Sequence, residues 1–138
     1  GGGLSEMDAL FPALFAKPTV LVGMDTRVAV DQRAGAPDDW RLRRIEGPEG
    51  VVRREHHVEP AATPTALMKA KVYLLTSNRT GSAGEHLSLS LKRTGRATLV
   101  GETTRGMGHY GGVRDLGGGY ELFVPVGRTF DPDNGQGW

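Results

Sequence analysis

The chain has 138 residues, enough for one domain with a modest core. Its 17 lysines and arginines nearly cancel 16 acidic residues, and a net charge of +1 gives no reason to expect nucleic acid or an anionic membrane as main partner. Cysteine is absent, which excludes disulfides and thiolate metal sites, and no apolar run approaches the ~20 residues of a membrane span.

Gly1, Gly2 and Gly3 permit backbone angles closed to other residues and a close approach of backbone to ligand; taken alone they read first as a flexible terminus. Residues 5–15 predict a short helix with Ser5 and Asp8 as a capping pair. Met7, Leu10, Phe11 and Leu14 recur at spacings of three and four and give it one apolar face. Pro12 should bend or shorten it, and Lys17-Pro18 ends it. The β-branched run 19–30 predicts a strand, open to a break at Gly23.

A turn is expected over 34–39, then a strand over 40–45 in which apolar residues alternate with arginine. Gly47-Pro48-Glu49-Gly50 is a second turn, and 51–58 a further strand. Arg41, Arg43, Arg44, Arg53 and Arg54 could form an anion patch, but interleaved Asp and Glu favour a solvated hairpin face. His56 and His57 are adjacent, so on a strand they face opposite sides and cannot enter one site. No metal-ligand partner lies at suitable spacing from them.

Residues 59–64 form a loop and 65–70 a helical turn. The run 72–76 (VYLLT) is continuously apolar, the pattern of a strand buried on both faces. A helix over 83–92 follows, with a stripe of Ala83, Leu87 and Leu91, and ends at Gly95. Residues 97–101 predict the next strand, making a βαβ unit. A glycine-rich stretch over 101–112 carries His109 and Tyr110. Strands over 113–116 and 120–126, split by Gly117-Gly118-Gly119, read as a hairpin, and 131–137 as a polar loop.

The chemically most informative place is Gly81-Ser82-Ala83-Gly84-Glu85, where a strand hands over to a helix. A serine there has an exposed hydroxyl at the positive end of the helix, near backbone N–H groups able to hold an oxyanion. Ser82-x-x-Glu85 is also a capping box, so spacing alone leaves nucleophile and plain N-cap both open.

Several blocks occur together: Leu75-Thr76-Ser77, Thr80 to Glu85, Gly95 to Gly106, Leu122 to Arg128, and Asp131-Pro132 through Gly137-Trp138. With Gly1-Gly2-Gly3 followed by Ser5-Glu6-Met7, their order resembles the tail-specific (C-terminal processing) serine peptidase family. The nearer branch includes the interphotoreceptor retinoid-binding protein repeats and bacterial peptidase relatives. Residues 24–65 match only in kind.

The resemblance implies an α/β fold of the crotonase/ClpP-like ββα-superhelix type, a small mostly parallel sheet with a βαβ crossover plus antiparallel hairpins. It implies one domain over 1–138, the C-terminal part of a catalytic domain cut at both ends. Ser82 would be the nucleophile, and Gly3 and Ala83 the oxyanion N–H donors. One branch of the family pairs the serine with a lysine, and the aligned position here is Met107, which cannot act as a base; nor can the protonated Arg105 nearby. The other branch uses histidine and glutamate, which would lie outside these 138 residues, so the isolated chain is expected to cleave poorly or not at all.

His109 is the local candidate base, and His86, one helical turn after Ser82, is a weaker one. Glu85 is expected to start the helix, and Glu102 to order a loop. No cofactor is expected. The substrate would be a peptide or unfolded protein, and the location extracytoplasmic. The alternatives are an apolar-ligand carrier like the retinoid-binding relatives, or a piece that pairs with a second copy through exposed sheet edges.

Overall fold

The computed structural model describes residues 2–34 and 39–137. Its element order is α1 (Leu4–Leu14), β1 (Thr19–Arg27), α2 (Val28–Ala34), β2 (Leu42–Ile45), β3 (Val51–Val58), a 3₁₀ turn (Ala66–Met68), β4 (Tyr73–Thr76), α3 (Ala83–Arg93), β5 (Thr98–Gly101), β6 (His109–Gly117) and β7 (Tyr120–Phe130). Five strands form an antiparallel sheet in the order β2-β3-β1-β7-β6, while β4 and β5 pair in parallel as a separate two-stranded sheet. The expected α/β class, the βαβ unit β4-α3-β5 and the hairpins are all present. The expected preponderance of parallel pairing is not: β2–β3 and β6–β7 are joined by short turns that permit only antiparallel pairing, and β1 joins the two hairpins through antiparallel ladders to β3 and β7.

Helix α1 begins one residue before the expected Ser5, with Gly3 as its cap. Ser5 does not cap Asp8. Glu6 takes the hydrogen bonds instead, from the Gly3 N–H at 3.2 Å and the Ser5 hydroxyl at 3.0 Å, which frees Asp8 to turn inward. Pro12 sits inside the helix without ending it, and Met7, Phe11 and Leu14 are buried as the periodicity predicts, but Leu10 is 40% exposed.

Strand β1 runs through Gly23 unbroken. The glycine is needed for close approach, since the Phe130 ring lies where a side chain would project. The strand expected over 19–30 stops at Arg27, the last residue paired with β3 at Val51, and 28–34 coil into α2, whose Asp31 reaches Arg54. The turn expected over 34–39 falls mostly outside the described residues.

Strand β3 alternates half-buried and buried along its whole length, placing Val52, Arg54, His56 and Val58 inward. The interior arginine is tolerated because Asp31 holds it in two contacts, one of them at 2.5 Å. Arg53 likewise forks onto Asp25, and Arg41 onto Asp39.

One apolar cluster joins α1, β1, β3 and α3 through Phe11, Leu14, Leu21, Val58 and Leu91, with Leu74, Ala83 and Leu87 packed against it. Strand β4 differs from expectation. Leu74 faces this cluster, but Tyr73 and Leu75 are 62% and 77% exposed, so VYLLT is covered on one face only. The Gly117-Gly118-Gly119 stretch closes the β6–β7 hairpin with all three φ angles positive, between 62° and 81°.

Candidate active site

The serine turn is built from both sides. Strand β4 ends at Thr76, whose hydroxyl donates to the Glu102 carbonyl at 2.8 Å, and the Glu102 carboxylate accepts the Asn78 N–H at 3.3 Å. Glu102 therefore orders this loop, as expected of it. Thr80 closes a small turn with Ser77, its hydroxyl accepting the Ser77 N–H at 3.1 Å. Ser82 then adopts φ 56° and ψ −120°, the one positive φ at a non-glycine among the described residues.

That angle bears on the two readings of Ser82. An ordinary N-cap sits in the extended region, and the caps of α1 and of the 3₁₀ turn do so, Gly3 at φ −110° and Thr65 at φ −103°. Helix capping does not require φ 56°. The Glu85 N–H donates to the Ser82 carbonyl at 2.9 Å, and Ser82 is exposed. Strain of this kind costs of order 1–3 kcal/mol and persists only where neighbours impose it.

Glu85 ties this turn to its surroundings. Its carboxylate is fully buried and accepts the Ser82 N–H at 2.8 Å, the return half of the capping box. The same carboxylate accepts the Met107 N–H at 2.8 Å and the Gly106 N–H in a short contact. One buried side chain thus links the serine turn to the glycine-rich loop before β6. Glu85 does start the helix, and it does more than the sequence indicates.

Ser82 and Ala83 open onto a cavity of about 260 Å³ whose other walls come from Gly2, Gly3 and Leu4, from Met24 and Thr129 on the sheet, and from His86, Met107, Gly108 and Tyr110. The structure therefore brings together Ser82 and Ala83 with Gly3, which lies 79 positions before Ser82. Among the described residues no acceptor meets the Ala83 N–H, at the positive end of α3. The Gly3 N–H is held by Glu6. Met107 is in the wall, with its sulfur against Gly81.

His109 is not in this wall. It opens β6 opposite Arg128 and lines a second cavity with Pro48, Val51 and Pro125. Tyr110, its neighbour, does reach the serine cavity. Its hydroxyl donates to the Asp25 carbonyl at 2.8 Å and lies 2.6 Å from the Thr26 hydroxyl, and burial raises its pKa, which keeps the phenol neutral.

His86 is in the wall, 3% exposed, and it is not alone. Its Nε2 lies 2.9 Å from Nδ1 of His56, and Nε2 of His56 lies 2.8 Å from Oδ1 of Asp8. Burial pushes the His86 pKa down to about 3, with the neighbouring His56 adding to the effect. Burial also lowers that of His56, against the opposing pull of Asp8. Both imidazoles are neutral near pH 7. His57 faces the other way, toward Glu55 at 3.1 Å, as the alternation requires.

In the sequence His86 is a weak candidate base, His56 is no site candidate, and nothing local connects either with Asp8. The available signal was the phase of β3, which puts His56 on the side of Val52 and Val58. No group of three or more His, Cys, Asp or Glu able to hold a metal occurs among the described residues. No helix there is long and apolar enough to cross a membrane. A family model described as peptidase family S41 matches residues 1–137.

Proposed function

We propose, from the premise that this chain belongs to peptidase family S41 and is a serine peptidase domain, that Ser82 is its nucleophile. The observation that carries this reading is the strained backbone of Ser82, φ 56°, at the mouth of a cavity shared with Gly3 and Ala83. A strained strand-to-helix turn presents a hydroxyl clear of its own backbone, which a helix cap does not need.

In this reading Ser82 Oγ attacks the scissile carbonyl while a base takes its proton. The carbonyl electron pair moves onto oxygen, and the Ala83 N–H and the Gly3 N–H stabilise that oxyanion. Collapse expels the amine, which takes the proton from the base, and leaves an ester on Ser82. Water then hydrolyses the ester through the same oxyanion. Gly3 can donate once its N–H leaves Glu6, and Glu6 is exposed enough to yield.

The base and its orienting carboxylate are taken to lie outside these 138 residues. Met107 has no basic group, His109 lines a different cavity, and a His86 pKa near 3 makes that imidazole a poor proton acceptor. The proposed substrates are peptides or unfolded chains, cut near their C-termini, in an extracytoplasmic compartment. These finer points rest on the resemblance to tail-specific peptidases.

Replacing Ser82 by alanine in the full-length natural protein tests the reading. Peptide cleavage should fall by a factor on the order of 10⁴ or more with folding unchanged. Cleavage retained within about tenfold would overturn it.

A further inference from the structure

Asp8, His56 and His86 form a hydrogen-bonded chain that crosses the interior from α1 through β3 to α3. Asp8 lies five residues after Gly3, and His86 four residues after Ser82. The chain therefore joins the two elements that hold the proposed oxyanion donor and the proposed nucleophile. Both imidazoles are nearly or fully buried, His56 at 0% and His86 at 3% exposed. Filling that volume with two imidazoles and a carboxylate is costly compared with apolar packing unless the hydrogen bonds are all made. The edge of the His56 ring also meets Phe11 at 5.7 Å between centroids, so the chain is embedded in the apolar cluster.

Its polarity follows from the chemistry of the groups. The Asp8 carboxylate, also 3.4 Å from the Arg41 guanidinium, accepts from Nε2–H of His56. A neutral His56 then has a lone pair on Nδ1, so Nε2 of His86 must carry the hydrogen that meets it. Each imidazole is fixed in one tautomer and one ring orientation, and neither can flip without losing a buried hydrogen bond.

We propose that Asp8, His56 and His86 are positioning residues of the serine centre, holding the glycine turn of α1 and the serine turn of α3 at a fixed separation across the cavity. The proposal rests on the serine peptidase reading of that cavity. A displacement of about 1 Å between nucleophile and oxyanion donor lowers the rate by up to about a hundredfold without removing either group.

Two variants of His86 in the full-length natural protein test this. Glutamine can place an N–H near the position of Nε2, whereas leucine fills similar volume without a donor. His86→Leu should lower kcat for peptide cleavage about 10- to 100-fold with KM changed less than about twofold. His86→Gln should stay within about threefold of the natural protein. Independently of activity, two-bond ¹⁵N–¹H correlation spectra at neutral pH should show both buried histidines as Nε2–H tautomers.

Leucine and glutamine variants with the same kcat would overturn the positioning role, and so would an Nδ1–H tautomer at either position. Should His86→Leu fail to fold, the glutamine variant and the tautomers decide, since a thirtyfold loss with glutamine or a reversed tautomer also overturns it. A natural protein with both tautomers as stated but no reactive serine would instead refute the serine reading, and the positioning role with it, while leaving the hydrogen-bond chain intact.

Discussion

Ser82 has a backbone conformation that favours glycine, and its N–H donates to the buried Glu85 carboxylate. A buried carboxylate serving three N–H groups cannot be removed cheaply, because each donor is left without a partner. Glu85→Ala should cost on the order of 3–5 kcal/mol in urea denaturation. A loss under about 1 kcal/mol would mean that the loop and the serine turn are held by something else.

The neutral histidines make a second prediction at this scale. Folding lowers the His86 pKa to about 3 and that of His56 in the same direction. Unfolded imidazoles titrate near ~6.5. Below that pH the unfolded chain binds more protons, so the contribution is fully present above pH ~6.5 and is lost as pH falls toward about 3. Asp8, Arg41 and His57 are the charged or titratable groups that bear on His56 from neighbouring positions, Asp8 opposing the shift and Arg41 and His57 adding to it. Comparison with His86→Gln isolates His86. Between pH 7 and 4.5 the natural chain should lose on the order of 3 kcal/mol more than the variant. Equal losses in both would contradict a neutral buried His86.

Strand β4 shows how far hydrophobic pattern can mislead about an element. Its unbroken apolar run is the signature of two covered faces, yet alternate residues here meet different surroundings, Leu74 against the cluster and Leu75 toward solvent. Composition cannot report which neighbours a strand finds. In the 138-residue chain, Leu75→Lys should change stability by less than about 0.5 kcal/mol, and Leu74→Lys should cost more than about 2 kcal/mol. Similar costs at both positions would show that the outer face is covered.

Other elements were legible because a local signal defined both ends. Strand β3 follows the Gly47-Pro48-Glu49-Gly50 turn and has the expected bounds, and helix α3 lies between the serine turn and Gly95. The β6–β7 hairpin was announced by its glycines. The end of β1 was not legible, since Val28, Ala29 and Val30 continue a β-branched pattern after β3 has run out of residues to pair with them.

Across the whole molecule, arginines at the end of α3 and just beyond it tie distant parts together. Arg93 donates to the Val20 and Leu21 carbonyls and to Asp131 and Asp133, joining the sheet and the final loop to the helix. Arg96 donates to the carbonyls of Leu14, Ala70 and Leu67, which anchors the far end of α1. At its near end, α1 is anchored by Asp8 through His56 and His86. The serine and the glycine turn were legible as candidates, because turn chemistry and the family resemblance are both local. The links Asp8–His56 and His56–His86 were not, since they span 48 and 30 positions and depend on how three elements pack.

The central claim is that Ser82 is a nucleophile and not merely the residue before a helix. Fluorophosphonate labelling of the full-length natural protein, with the modified peptide located by mass spectrometry, tests it most directly. A phosphonate on Ser82 in the natural protein, and none on any serine of Ser82→Ala, is the expected result. A folded natural protein unlabelled at Ser82, or labelled at another serine, would contradict it.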